Sequence, residues 1–153
     1  MSQSINLYKQ LANHKLFNKS VNFGLKRIKL ALALLGHPEK KLKNVISVVG
    51  ESGKFTTLFS LKSFIEASNQ NVTTHISPSL RDIRERFYMG EKYLSHKEIK
   101  KTIKQIEKLN IPLIVFECLT LVYIINASKI NVDYNIQETG ALWRLDSNNI
   151  HDF

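Results

Sequence analysis

A glycine-containing loop lies between an apolar run and a helix-like stretch of this sequence. Residues 45–49 read VISVV, and residues 50–54 read GESGK. A β-branched run of this length predicts a buried strand, and glycines after it allow the backbone to turn into a helix. Such loops bind phosphate when successive backbone N–H groups converge on the anion at a helix N-terminus. The sequence therefore predicts either a phosphate-binding loop or an ordinary turn.

The spacing within the loop leaves both interpretations open. The usual phosphate loop has four residues between its glycines and a hydroxyl directly after the lysine. Here two residues separate Gly50 from Gly53, and Phe55 stands between Lys54 and Thr56. The position of the loop between a strand and a helix favours nucleotide binding.

The segments around the loop alternate between strand and helix patterns. Apolar residues recur at helical spacing in 24–38 and again in 55–65. Apolar runs of strand length occupy 44–49 and 72–76, and 131–137 is typical of a last strand. Strand, turn, helix and strand form a βαβ unit, which predicts an α/β fold with a parallel sheet covered by helices.

Two further helices and one solvent-exposed face are expected in the second half of the chain. Ser95 and Glu98 form a capping box that predicts a charged helix to about Asn110. An apolar stretch predicts a buried helix around Phe116–Ala127. In the last strand, apolar and polar residues alternate, so we expect one face to be exposed; the polar residues are Asp133, Asn135 and Gln137.

Length and composition predict one cytosolic domain. The chain has 153 residues, 43% of them hydrophobic, and a single cysteine, Cys118, so no internal disulfide is possible. The first residues lack the apolar core of a signal peptide. The apolar stretch 111–127 contains Pro112 and Glu117 and is shorter than the roughly 20 apolar residues of a membrane span. We therefore predict a cytoplasmic protein with no membrane partner.

The basic N-terminal segment raises nucleic-acid binding as an alternative. Residues 1–44 hold nine Lys and Arg against one acidic residue, Glu39. Such a segment can bind nucleic acid, and that interpretation predicts an affinity that falls steeply with salt. The lysines are spread along the segment, however, and few aromatic residues interleave with them for base stacking. The pattern favours an ordinary basic surface over a nucleic-acid partner.

The order of motifs resembles the N-terminal part of the folylpolyglutamate synthase/dihydrofolate synthase family, a branch of the Mur ligase superfamily. The resemblance covers roughly residues 20 to 150. It rests on the segments GLKRI (24–28), GESGKFT (50–56), SPSL (77–80) with RER (84–86), FECLT (116–120) and ETGALWRLDSNN (138–149). It implies that residues 1–153 form a single, incomplete ATP-binding domain like the Mur ligase central domain, without the family's C-terminal domain.

The resemblance also implies an activity and a set of site residues. Members of the family use ATP and Mg²⁺ to form an acyl phosphate on a pteroate or folate carboxylate, which the amine of glutamate then attacks. Lys54 would neutralise the γ-phosphate as the catalytic residue, and Ser77 and Glu138 would hold Mg²⁺. The positions implied to contact ATP are Gly50, Glu51, Ser52, Gly53, Lys54 and Thr56. The positions implied to contact the pteroate-type substrate are Phe23, Gly24, Leu25, Phe116, Glu117, Leu145, Asp146 and Ser147.

Four departures from the family pattern bear on activity: two residues of the phosphate loop, Ala141-Leu142-Trp143 in place of the family's L-G-G, and the absence of the family's C-terminal part. Glu51 replaces a threonine of the loop and places a carboxylate near the phosphates; like charges about 4 Å apart cost roughly 4 kcal/mol at an effective dielectric near 20. Phe55 replaces a glycine, and a bulky residue there would resist a positive φ. We therefore expect the isolated chain to be inactive as a ligase. The alternatives are a non-catalytic nucleotide- or anion-binding protein and one half of an enzyme completed by a separately encoded C-terminal half.

Overall fold

The computed structural model describes residues 7, 9–11, 13–14, 24–140 and 143–151. Helices and strands alternate along most of the described chain, which confirms the α/β prediction. The principal elements are α1 (Lys26–Leu34), β1 (Val45–Val48), α2 (Lys54–Ala67), β2 (Val72–His75), β3 (Phe87–Met89), α3 (His96–Glu107), α4 (Val115–Ala127) and β4 (Tyr134–Glu138).

The four strands form one mixed sheet in the order β1-β4-β2-β3. The first three strands in this order are parallel, as predicted, and β4 lies between the two strands of the βαβ unit. β3 pairs antiparallel with β2 and was not predicted. Its three residues, Phe87–Met89, are too few to show a strand periodicity, and charged residues surround them.

The predicted helix boundaries agree closely with the structure. The Ser95 hydroxyl accepts a hydrogen bond from the Glu98 N–H at 3.2 Å, and the Ser95 N–H donates to Glu98 Oε2 at 2.7 Å. This confirms the capping box. α3 ends at Glu107, three residues before the expected end, and α4 begins one residue before its expected start.

The two faces of the sheet pack against two separate hydrophobic clusters. The larger cluster joins α4 to α1 and α3. The smaller cluster lies between α2 and the sheet and contains Val48, Leu58, Ile65, Val72, Ile76 and Ile136. Among the helices of the described residues, none combines the length and the apolar character that crossing a membrane requires.

The prediction that one face of the last strand is exposed is wrong. Asn135 is 2% exposed and Gln137 is fully buried, because α4 covers this face of the sheet. Burial of such side chains is tolerated when they are hydrogen-bonded. Asn135 donates to the Lys43 carbonyl at 2.7 Å and accepts from Thr73 Oγ1 at 2.7 Å, and the Tyr123 hydroxyl lies 2.7 Å from the same Thr73 oxygen.

Candidate functional site

The glycine loop joins the end of β1 to the start of α2. Gly53 takes φ +77°, a left-handed conformation that favours glycine, and stands directly before the first helical residue, Lys54. As the N-cap it offers no side-chain hydrogen bond to the helix. The first turn of a helix carries backbone N–H groups without intrahelical acceptors, so this end of α2 is suited to an anion.

The Lys54 side chain folds over the loop. Its Nζ donates to the Gly50 carbonyl oxygen at 2.7 Å and to the Glu51 carbonyl oxygen at 3.3 Å. The ammonium group therefore lies beside the backbone that would surround a phosphate. Glu51, Ser52 and Thr56 are exposed on the same loop and the first turn of α2.

Phe55 does not adopt the positive φ that a bulky residue would resist. Phe55 lies in the first turn of α2 and needs no positive φ, because Gly53 takes the left-handed conformation instead. The Phe55 ring packs against Phe59 with centroids 4.4 Å apart, so its bulk points along the helix. The departure from the family pattern at this position is compatible with the strand, loop and helix path.

The two expected metal ligands, Ser77 and Glu138, lie at the same edge of the sheet as the loop. Glu138 ends β4 in register with Val48 of β1, and Ser77 follows shortly after β2. The Ser77 N–H donates to Glu138 Oε2 at 3.0 Å, and Glu138 is 5% exposed. Because the carboxyl ends of parallel strands meet at one edge, the loop, the carboxylate and the serine come together there.

The pair fits a hard cation that takes few ligands from protein. Mg²⁺ prefers oxygen ligands and is usually held by one or two carboxylates together with phosphate and water. Glu138 offers carboxylate oxygens, and the backbone N–H of Ser77, the residue whose hydroxyl is the second expected ligand, bonds to one of them. Within the described ranges, no group of three or more His, Cys, Asp and Glu side chains could hold a metal ion, so a cation here would depend on other ligands.

Asp146 organises the segment that follows β4. Its Oδ2 accepts from the Gly140 N–H at 2.6 Å, and its Oδ1 accepts from the Asn148 N–H at 2.9 Å. Burial raises the pKa of the Asp146 carboxyl, and the two backbone hydrogen bonds act in the opposite direction. A Cβ on Gly140 would lie 2.5 Å from Asp146 Oδ2, so a larger residue there would displace the Asp146 carboxylate.

The neighbours of Asp146 tie this segment to the sheet and to α4. The Asn148 side chain donates to the Glu138 carbonyl at 2.9 Å, and the Ser147 and Thr120 hydroxyls are 2.9 Å apart. Leu145, by contrast, is 43% exposed. Asp146 and Ser147 are thus held beside the strand end that carries Glu138.

Glu117 is held by α1 and by its own helix end. The Arg27 guanidinium donates to both carboxylate oxygens at 3.1 Å, and the Ile114 N–H donates to Oε2 at 2.8 Å. Glu117 is 3% exposed, so it links the start of α4 to α1. Its neighbour Phe116 lies near the His75 ring, with centroids 6.5 Å apart.

The structure places the remaining expected substrate residues only in part. Gly24 and Leu25 precede α1, and Leu25 packs against the larger hydrophobic cluster. Phe23 lies outside the described residues. Sequence reasoning gave no role to Arg27 or Asn148, which position Glu117 and the end of β4. Arg27 belongs to the GLKRI segment and Asn148 to the last motif. The motifs thus included both residues but did not indicate what either residue contacts.

Comparisons with known proteins agree on one group of enzymes. No protein-family model matches the chain. The dihydrofolate synthase/folylpolyglutamate synthase of Bacillus subtilis is 31% identical over 137 residues, which cover 83% of this chain and 31% of that protein. The protein of the same name from Buchnera aphidicola is 35% identical over 133 residues, covering 85% of this chain and 31% of the relative.

Solved structures show the same relationship. Escherichia coli FolC in complex with DHPP and ADP superposes with a TM-score of 0.87 at 31% identity, covering 97% of this chain and 36% of that one. A bifunctional folylpolyglutamate synthase/dihydrofolate synthase with Mn, AMPPNP and L-glutamate bound gives a TM-score of 0.86 at 29% identity, with the same coverage. The chain spans about a third of the length of the relatives it matches.

Proposed function

We propose that this chain, which is related over most of its length to the N-terminal third of the folylpolyglutamate synthase/dihydrofolate synthase family, binds ATP with Mg²⁺ at the loop between β1 and α2. The observation that carries the proposal is the meeting of three features at one edge of the sheet. These are the open N-terminus of α2 with Lys54 over the loop, the Glu138 carboxylate, and Ser77 bonded to it.

Each residue then has a physical role. Gly50, Glu51, Ser52 and Gly53 would present backbone N–H groups to the phosphates, with Thr56 at the first turn of α2. Lys54 would leave its carbonyl partners and neutralise the γ-phosphate. Ser77 and Glu138 would hold Mg²⁺, which when bound neutralises charge that develops on the phosphate oxygens.

The proposed substrate side lies around Asp146 and Glu117. By analogy with the relative bound to DHPP and ADP, we assign contacts with a pteroate-type substrate to residues 24–25, 116–117 and 145–147, and to Phe23, which lies outside the described residues. Asp146 and Glu117 both hold neighbouring backbone N–H groups, so we assign them the positioning of this surface. Glutamate would be the second substrate, as in the relative that binds it.

We propose that ligation depends on parts of the relatives that lie outside the third matched by this chain. The relatives are about three times as long, and two protein ligands for a metal leave its coordination to other groups. We therefore propose that the chain binds nucleotide by itself and ligates glutamate only together with a complementary C-terminal part. A cytoplasmic location is proposed with it, since its substrates are small metabolites.

Isothermal titration of the chain with Mg-ATP tests nucleotide binding. We expect Lys54→Ala to weaken binding at least tenfold, which corresponds to about 1.4 kcal/mol. Lys97→Ala, on an exposed lysine in the first turn of α3, serves as the matched control and should bind like the unmodified chain. Glu51→Gln should tighten binding because it removes a negative charge from the loop.

Two results would overturn the proposal. One is the absence of binding by a chain whose far-ultraviolet circular dichroism shows that it is folded. The other is binding that Lys54→Ala leaves unchanged, because the nucleotide would then lie elsewhere.

A further inference from the structure

We propose that an aromatic groove along α2 binds the base of the nucleotide whose phosphates lie at the loop, and that the base stacks on Phe55. The inference rests on the proposed function and deepens it by assigning the base a place on this chain. The ligand class is a purine nucleoside triphosphate.

The groove lies on the surface of α2, directly after the phosphate loop. Its volume is about 430 Å³, which is within the range of small-molecule sites. Three phenylalanines and three hydroxyl residues line it: Phe55, Thr56, Phe59, Ser60, Ser63 and Phe64. None of these six described residues is charged, so the groove suits a neutral aromatic group better than it suits a phosphate.

Two of the phenylalanines in the groove expose much of their surface. Phe55 is 42% exposed and Phe64 is 71% exposed. Rings of this size gain most when they are removed from water, and clustered apolar side chains on a surface commonly mark binding sites. A planar base laid on Phe55 would cover apolar surface that the rest of the described chain leaves open.

Phe59 supports the ring of Phe55. Phe59 packs against the smaller hydrophobic cluster, and its ring centroid lies 4.4 Å from that of Phe55 with the planes tilted by 35°. Residues four apart lie on the same face of a helix, and long side chains lean toward the helix N-terminus. Phe55, in the first turn, therefore stands at the level of the loop with Phe59 behind it.

The spacing along α2 connects the groove to the phosphate loop. Phe55 directly follows Lys54, and the free N–H groups of the first helical turn are those that would meet the phosphates. A helix rises about 1.5 Å per residue, so Phe59 lies about 6 Å and Phe64 about 13.5 Å beyond Phe55 along the axis. A base attached to phosphates at the loop would thus meet Phe55 first, and Phe64 lies at the far end of the groove.

The chemistry of the groove favours purines without selecting one of them. Stacking uses the π face that every base has, and the two fused rings of a purine offer a larger face than the single ring of a pyrimidine. The Thr56 and Ser60 hydroxyls can each donate or accept a hydrogen bond, so they fit the edge of adenine or of guanine. The family pattern has glycine at position 55, so this stacking surface is a feature of this chain.

Isothermal titration with two ligands separates the base from the phosphates. The ligands are Mg-ATP and Mg-tripolyphosphate, which has neither base nor ribose. We expect Phe55→Ala to weaken Mg-ATP binding about fivefold or more. The same variant should leave tripolyphosphate binding unchanged, because every backbone N–H of the loop is kept.

Two further variants are matched controls. Phe55→Tyr keeps an aromatic ring and should bind Mg-ATP like the unmodified chain. Phe64→Ala removes the same type of side chain from the same helix, at the end remote from the loop, and should leave both affinities unchanged. Mg-GTP should bind like Mg-ATP, and Mg-CTP should bind more weakly than either.

Three results would overturn the inference while leaving nucleotide binding in place. The first is Mg-ATP binding that depends on Lys54 but not on Phe55. The second is equal weakening of both ligands by Phe55→Ala, which would place its effect on the loop. The third is a dimer of this chain that Phe55→Ala dissociates without changing the affinity for Mg-ATP, because a second copy would then occupy the groove.

Failure of the proposed function gives a different result. In that case neither Mg-ATP nor Mg-tripolyphosphate binds to a chain that urea denaturation shows to be folded, and both proposals are wrong.

Discussion

The two faces of the sheet are covered to very different extents. On one face, α4 buries ten of its 13 residues beneath α1 and α3. On the other face, α2 has 14 residues and buries two, Leu58 and Ile65. The α4 side is therefore almost fully buried, whereas most of α2 is exposed to solvent. The phosphate loop lies on the α2 side.

The more completely covered face of the sheet is also the more polar one. The strands present buried polar side chains to α4, among them Thr73 and Asn135, whereas they present valine and isoleucine to α2. Thr73, Asn135 and Tyr123 hydrogen-bond to one another on this face, which offsets the cost of burying their polar groups. A polar strand face is therefore no sign of solvent exposure, and an apolar one is no sign of complete cover.

Truncating one large side chain in α4 and one in α2 should reveal the difference in burial between the two helices. Leu121→Ala in α4 removes a fully buried side chain and should lower the free energy of unfolding by about 2 to 5 kcal/mol. Phe64→Ala in α2 removes a side chain that is 71% exposed and should change it by less than about 0.5 kcal/mol. Urea denaturation measures both. Equal losses would mean that the α2 side is closed as well.

His75 is buried under α4 and should make the stability of this side of the sheet depend on pH. His75 Nδ1 lies 3.2 Å from the Arg86 carbonyl oxygen, so the neutral ring donates from this nitrogen. Burial lowers the pKa of His75 from its ordinary 6.5 to about 3. Between pH 6.5 and about 3, the unfolded chain therefore binds a proton on His75 that the folded chain does not bind. The free energy of unfolding should decrease as the pH is lowered through this range.

The expected slope is about 1.4 kcal/mol per pH unit below 6.5, or about 2 kcal/mol between pH 6.5 and 5. His75→Phe keeps an aromatic ring between Phe87 and Tyr123 and should remove this contribution. Urea midpoints of both proteins at pH 7, 6 and 5 measure it. Parallel pH profiles would show that His75 is not buried in its neutral form.

The hydrogen bond between Tyr123 and Thr73 gives the smallest effect. The Thr73 hydroxyl donates to Asn135 and accepts from the Tyr123 hydroxyl, so Tyr123→Phe removes one bond and leaves Thr73 with its donor satisfied. We expect a loss of about 1 kcal/mol in the free energy of unfolding. A neutral or stabilising change would mean that the polar face does not depend on this bond.

The sequence predicted the elements with strong local signals. The β-branched run before the loop, the capping box at Ser95 and the apolar stretch of α4 each have a local cause, and the structure contains all three. It did not predict β3, which has three residues and depends on pairing with β2. It also gave the wrong exposure for Asn135, because the cover over a strand is set by helices distant in sequence.

For the candidate site, the sequence predicted which segments belong together but not the side-chain contacts between them. The motif order indicated which residues belong together, and the structure brings Ser77, Glu138 and the loop to one edge of the sheet. The hydrogen bond between Ser77 and Glu138 joins residues 61 positions apart, and the ion pair of Arg27 with Glu117, which links α1 to α4, joins residues 90 positions apart. Residue types alone do not specify such partners. Phe55 has a helical backbone in the first turn of α2, and the left-handed residue of the loop is Gly53.

Nucleotide binding without ligation is what we propose for this chain. The most direct measurement is a coupled assay of ADP release with Mg-ATP, a dihydropteroate substrate and glutamate, on a preparation that binds Mg-ATP by titration. The account predicts no glutamate-dependent ADP release above the background without enzyme. Steady glutamate-dependent release that Lys54→Ala abolishes would contradict it, because the site would then be complete without a partner.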